Sequence, residues 1–282
     1  MNHGGKYNLI FKRIAKYLFL LLLFLLPICA KAATTVTLGS SVKAISVEIL
    51  DGNTLDVNGS NAITLTGSGS PFDVRGTFTA STGTVLYAGS SATTIASLSA
   101  DNHYYNLTMG AASDNNTILF SVNGEIEASG SITVTNGGSG THTFTQGNNN
   151  ITAGGASAVT VGANATWNNI GTGDLTLGGT FANSGTVVFN TSNNGCTGGG
   201  IADDIAITSS AGGTQRNWTS SSPIEMYNVS VTDMTSSADI LAYSSTFSNV
   251  GPKWALVKCS DFSTPYNRIK GDTRIKGGTR IK

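Results

Sequence analysis

The sequence predicts an all-β solenoid, a body of short strands wound into stacked coils, and three observations carry that prediction. A strand-turn-strand cassette is written twice, as Gly76-Thr77-Phe78-Thr79-Ala80-Ser81-Thr82-Gly83-Thr84-Val85-Leu86-Tyr87 and as Gly179-Thr180-Phe181-Ala182-Asn183-Ser184-Gly185-Thr186-Val187-Val188-Phe189. Such a unit cannot bury its apolar face alone and has to stack on neighbours. Short segments alternating apolar and polar residues run the length of the body, and no stretch after residue 32 keeps a helical period for three turns. Between them lie corners such as Asn58-Gly59, Gly67-Ser68-Gly69, Asn136-Gly137-Gly138 and Gly198-Gly199-Gly200, residue types that accept positive φ where a coil turns.

In chain order, residues 1–32 read as an export signal. Lys6, Lys12, Arg13 and Lys16 form a basic start, Leu18 to Leu26 is an unbroken apolar run, and Ala30-Lys31-Ala32 supplies a cleavage site after Ala32. The apolar run is shorter than the roughly 20 residues that cross a bilayer, so membrane contact is expected only before cleavage. Ile28 is bulky where a lipoprotein signal would carry a small residue before Cys29, which leaves cleavage after Ala32 as the reading.

Residues 33–252 form the predicted body. Its strands include Ala44-Ile45-Ser46-Val47-Glu48-Ile49, Thr54-Leu55-Asp56-Val57, Ile63-Thr64-Leu65, Phe72-Asp73-Val74, Ile132-Thr133-Val134, Val159-Thr160-Val161, Leu175-Thr176-Leu177 and Val229-Ser230-Val231. Hairpin sandwiches favour longer strands joined by two-residue turns, whereas these are short with bends between them. The cassettes recur at a separation of 103 residues, which is about five coils if each takes about 20 residues. Phe78 and Phe181 are then expected as corresponding inward residues of two coils.

These cassettes, together with Tyr104-Tyr105-Asn106-Leu107-Thr108-Met109 and Ile224-Glu225-Met226-Tyr227-Asn228-Val229-Ser230-Val231, resemble the right-handed parallel β-helix repeats of secreted bacterial surface proteins. Residues 201–252, with Trp218, Met226, Tyr227 and Phe247, look more like the pectate-lyase-like type of that helix. The resemblance implies a single-stranded right-handed parallel β-helix behind a signal peptide. Asn228 and Asn249 read either as inward corner amides stacked in a ladder or as exposed turn residues.

Residues 253–282 are of a different kind. Arg268-Ile269-Lys270-Gly271-Asp272-Thr273, Arg274-Ile275-Lys276-Gly277-Gly278-Thr279 and Arg280-Ile281-Lys282 form a six-residue period, expected to be a flexible basic strand segment or a truncated repeat array. Cleavage after Ala32 removes five basic residues and no acidic one, leaving 11 basic and 16 acidic residues, a net charge of −5. From Ala33 to Pro252 the basic residues are Lys43, Arg75 and Arg216 against 14 acids, while residues 253–282 carry eight basic residues. A body so poor in cations offers no phosphate-neutralising surface, which excludes nucleic acid as an expected partner. Cys196 and Cys259 remain after cleavage, and a disulfide between them is one option in an exported chain.

Few constellations carry chemistry. The pectin-degrading hydrolases resemble this chain in having a β-helix with an Asp-Asp pair followed by Arg-Ile-Lys, here Asp203-Asp204 and Arg268-Ile269-Lys270. Paired carboxylates suit inverting glycoside hydrolysis, but the Gly-His-Gly expected between the two motifs is missing, since no histidine follows His142. A lyase needs a cationic base beside clustered acids, and Arg216 is the one body residue placed for it. Asp203, Asp204, Asp233 and Asp239 are the calcium candidates, their hard oxygens suiting that ion, with solvated turn aspartates as the plain alternative. His103 and His142 lack metal-ligand spacing, and Tyr104, Tyr105, Trp167, Trp218 and Trp254 are expected in packing more than in sugar stacking.

The sequence therefore leads to an exported structural or adhesin-like surface module without catalysis and without a required cofactor. It is secreted or held at the cell surface, and glycans or cell-surface components are the expected partners. The alternative is a carbohydrate-active β-helix, a polysaccharide lyase or pectin-type hydrolase, with its site in residues 201–262.

Overall fold

The computed structural model describes residues 33–110, 115–190 and 205–257. Residues 1–32, read from sequence as an export signal, and Cys196, Cys259, Asp203, Asp204 and the Arg-Ile-Lys run lie outside the described residues. The described chain is a parallel β-solenoid with strands and no helix, and its strand pairs are parallel throughout.

The coils lay their strands on three faces. The second face shows the repeat most plainly, stacking Val42–Ala44, Ala62–Leu65, Thr84–Tyr87, Asn106–Met109, Ile132–Val134, Val159–Val161, Phe181–Asn183 and Arg216–Ser220 in that order. The first face begins with Thr35–Thr37, Thr54–Asp56 and Thr77–Thr79 and resumes with Ile126–Ala128, Ile151–Ala153, Leu175–Leu177 and Ile205–Ser209. The third face holds Val47–Ile49 paired with Phe72–Val74, then a separate ladder from Thr93–Ile95 through Ile118–Val122, His142–Thr145, Ala165–Asn169, Thr186–Phe189, Ile224–Tyr227 and Ile240–Tyr243 to Trp254–Val257. That last strand continues the third face past Pro252.

Alternation explains what lies inside. In a strand, successive side chains point to opposite faces, so Ile132 and Val134 are buried while Thr133 between them is half-buried. The buried residues join into one apolar column from Ile49 to Trp254, with an aromatic thread along it. Phe144 meets Trp167 at 4.7 Å, Trp167 meets Phe181 at 5.9 Å, and Phe181 lies flat on Trp218 at 4.0 Å and 1°. Trp167 and Trp218 are fully buried, so these tryptophans are core, as is Tyr104.

Three expectations change in detail. Residues 44–49 do not form one strand. The chain turns at Ile45-Ser46, separating Val42–Ala44 on the second face from Val47–Ile49 on the third. The coils are also longer than about 20 residues through most of the body: Val42 pairs with Ile63, Val85 with Leu107, Leu107 with Ile132, and Ile132 with Val159. At the C-terminal end they shorten, Ile224 pairing with Ile240 and Ile240 with Trp254.

Consequently Phe78 and Phe181 are both inward but not equivalent. Phe78 stands on the first face, paired with Leu55, whereas Phe181 stands on the second face in the column of Val159, Ile132, Leu107 and Val85. The separation of 103 residues spans four coils and one further face. The second cassette is therefore the same local structure rotated to the neighbouring side.

Corners use residues that tolerate positive φ. Asn190, Asn228, Asp233 and Asn249 adopt φ of 56°, 52°, 58° and 51°. Asn228 is buried at an inward corner, stacked after Asn190, whose Nδ2 donates to the Tyr227 carbonyl at 3.2 Å. Asn249 is exposed and donates from Nδ2 to the Asp233 carboxylate at 2.5 Å. Asn228 is thus an inward corner residue and Asn249 an exposed turn residue, and the two do not join in an amide ladder, since Asn228 Nδ2 has no hydrogen-bond partner among the described residues.

Candidate functional site

The repeat is interrupted on its third face. Gly69 still reaches the coil above it, its N–H donating to the Ala92 carbonyl at 3.0 Å and its C=O accepting from Thr94 N–H at 2.6 Å. The next rung would need an N–H from residue 71, and Pro71 has none. The Pro71 carbonyl instead accepts from Val47 N–H at 2.8 Å, and Arg75 N–H donates to the Ile49 carbonyl at 2.8 Å. Phe72–Val74 is thereby committed to the strand below and leaves the strand above.

The result is a cleft of about 370 Å³ between Phe72–Val74 and the segment Thr94–Leu98, with Ser70, Ser97 and Asn123 at its rim. A second recess of about 400 Å³, lined mainly by Ser and Thr, adjoins it at Ser70. Backbone groups along a parallel strand alternate sides. Since residues 71, 73 and 75 face Val47–Ile49, the N–H and C=O of Phe72 and Val74 face the cleft. On the opposite rim the Thr94 carbonyl points the same way, by the alternation that aims Thr94 N–H at Gly69.

Side chains repair the rest of the fault. Asn102 takes the place of a strand neighbour for Thr77–Thr79, accepting from Phe78 N–H at 2.7 Å and donating to the Gly76 carbonyl at 3.2 Å. Inside, the hydroxyls of Tyr87 and Tyr104 lie 3.0 Å apart. Tyr87 Oη accepts from Ala96 N–H at 3.1 Å, and Tyr104 Oη donates to the Ala96 carbonyl at 2.8 Å. Two buried phenols thus satisfy the backbone that the missing rung would have paired.

Burial pushes the Tyr87 phenol up to about 12, and burial together with Tyr87 beside it raises Tyr104 well above the ordinary value. Both folded-state values exceed that of an unfolded tyrosine, about 10. The stabilisation is therefore complete below about pH 10 and is lost as pH rises toward and through 12. We expect an alkaline unfolding transition in that window. A Tyr87→Phe, Tyr104→Phe double variant, followed by circular dichroism, should be less stable at neutral pH and should lose the steep part of this alkaline transition. An unchanged alkaline transition would disprove the role given to the pair.

On the cleft's outer wall Asp73 stands beside Glu48 in register, and Arg75 pairs with both. All three side chains are about half-exposed.

The residues singled out from sequence take other positions. Asp233 is buried at a corner, its carboxylate accepting from Gly213 N–H at 2.7 Å and from Asn249. Asp239 pairs with Lys253 at 3.3 Å, and Arg216 Nε donates to Ser209 Oγ at 3.1 Å. Among the described residues no group of three or more His, Cys, Asp or Glu side chains comes together. His103 Nδ1 lies 2.8 Å from the Ala100 carbonyl, and His142 is buried with Nδ1 2.6 Å from the Thr135 carbonyl.

Of the residues at this fault, Phe72 and Val74 were singled out from sequence only as strand residues, and Ser70, Pro71 and Asn102 not at all. One signal pointed to them: Pro71 is the sole proline between residues 33 and 222. Compared with known proteins, the chain matches no family model, no curated protein and no solved structure.

Proposed function

We propose that this chain is an exported structural or adhesin-like module of the cell surface, a right-handed parallel β-helix that carries no catalysis. The observation that supports it is the outward side of the second face. There Thr64, Leu86, Thr108, Thr133, Thr160 and Ala182 succeed one another, one per coil, with strands about 4.8 Å apart. Four threonines, one leucine and one alanine at that spacing form a long, flat, uncharged row suited to many shallow contacts. The interior meanwhile holds the large aromatic residues.

The export motif, the acidic body and the resemblance of the repeats point to the cell surface as the place where that face works. Glycans or other surface components are the partners such a face suits. Asp233, Asp239 and Arg216 hold corners and loops together in pairs of their own, which favours the structural reading over a carbohydrate-active one.

The test sets binding against turnover. The purified chain should adhere to immobilised cell-surface polysaccharide or whole cells, and should release no reducing or unsaturated ends from polygalacturonate, with or without calcium. Product formation that disappears in an Asp203→Asn, Asp204→Asn variant would overturn the proposal in favour of a carbohydrate-active β-helix.

A further inference from the structure

The cleft between Phe72–Val74 and Thr94–Leu98 presents a strand edge with no strand paired to it. Phe72 and Val74 together offer two N–H and two C=O groups along it, and the Thr94 carbonyl faces them. A row of alternating backbone donors and acceptors is matched by another extended backbone, which can add as a strand. Phe72, Ile95 and Leu98 put buried apolar side chains at the floor, while Asp73 stands on the outer wall, with Glu48 beside it on the strand below and Arg75 as their shared cation. The occupant this edge selects is extended, with an aliphatic side chain facing in and a cation facing out.

We propose that the chain's own Arg-Ile-Lys run, residues 268–282, is that occupant, docking in the same molecule. In an extended Arg-Ile-Lys triplet the isoleucine points opposite to both cations. Placed beside Phe72–Val74, the isoleucine lies over the apolar floor. A neighbouring cation then stands next to Asp73, extending the Glu48–Asp73 column with opposite charge.

The reach is sufficient. Trp254–Val257 ends the same third face, and seven strand steps separate it from Thr93–Ile95, roughly 34 Å at about 4.8 Å per step. The cleft lies one step further, roughly 38 Å away, and the sixteen residues 258–273 span up to about 55 Å when extended, which brings the Arg274-Ile275-Lys276 repeat within reach of it. The charge balance agrees, since residues 253–282 carry eight cations and the body carries three against 14 acids.

Zero-length carbodiimide coupling on the whole purified chain, mapped by mass spectrometry, tests this. Asp73 and Glu48 should couple to Lys270, Lys276 or Lys282 at least about tenfold more than the exposed control Asp101 does. Val74→Pro removes one cleft-facing N–H while keeping the charges and the bonds to Val47–Ile49, and should bring coupling down to the control level. Ser97→Trp, which fills the cleft from the other rim, should do the same and covers the case in which Val74→Pro fails to fold. Equal coupling at Asp101 and Asp73, coupling unchanged in the folded variants, or products that join differently isotope-labelled chains would overturn the proposal.

Discussion

Replacing Trp218 with alanine should cost about 3–5 kcal/mol, the cost typical of truncating a fully buried large aromatic. Trp218 is 0 % exposed, stacks on Phe181 at 4.0 Å, and touches Phe189 and Trp254 rings at 5.9 and 5.7 Å. It therefore ties the second-face strand Phe181–Asn183 to the last coils. A solenoid's stability is close to a sum of coil and interface terms, so the damage should be regional. Amides in residues 205–257 should lose exchange protection first, while those of Ile63 to Val134 keep theirs. Trp218→Phe should cost far less, because the indole Nε1 has no hydrogen-bond partner in the core and only ring volume is lost. Denaturant midpoints for the two variants, with exchange measured by mass spectrometry, check this. Equal losses for alanine and phenylalanine would show that the stacked ring is not what joins these coils.

Gly110→Ala should destabilise the body by at least about 3 kcal/mol, the range reserved for strained backbone combined with overpacking. Gly110 has φ of +99°, and a Cβ there would overlap the Thr135 carbonyl oxygen and His142 Nδ1. Those two atoms are 2.6 Å from each other, inside a wall that also holds Phe120 against the His142 ring. Neither can withdraw without opening the second or third face. Gly52→Ala is the control. Gly52 also has positive φ, at +75°, but a Cβ there meets nothing within 4 Å, so only backbone strain of about 1 kcal/mol remains. Thermal unfolding of both variants separates strain from overlap, and similar midpoints would contradict the packing described around Gly110.

Strand existence was legible because it depends on local alternation. Ile132-Thr133-Val134 and Val159-Thr160-Val161 are strands with their apolar residues inside and threonine between them, as the period of two requires. Coil equivalence was not legible, because it depends on how many residues each corner inserts. The Gly-Thr-Phe cassette specifies a strand, a turn and a strand, and these can occupy first and second faces, as at Phe78, or second and third, as at Phe181. Nothing in the cassette counts the corners between its two copies.

The cleft shows a second limit of the same kind. Pro71 announces a missing donor, but whether that donor was needed depends on which neighbour the strand faces at that position. The Pro71 carbonyl turns toward Val47, and this exchange of sides after Gly69 is a property of the backbone path that no residue name records. The tyrosine pair is similar: Tyr87 and Tyr104 are apolar-patterned strand residues in sequence, and only the stacking brings their hydroxyls to Ala96. Asp233 was legible as an acid and not as a corner, where it accepts from Gly213 and Asn249.

The central claim, that this solenoid works outside the cell, is tested most directly by the N-terminus of the protein recovered from intact producing cells. Surface labelling with a membrane-impermeant reagent, followed by mass spectrometry of the labelled chain, should find a mature protein that begins at Ala33 and is modified at Lys43 on the outward side of its second strand. Recovery of the chain only from the cytosol, unlabelled and still carrying Met1 and the apolar run, would contradict the account.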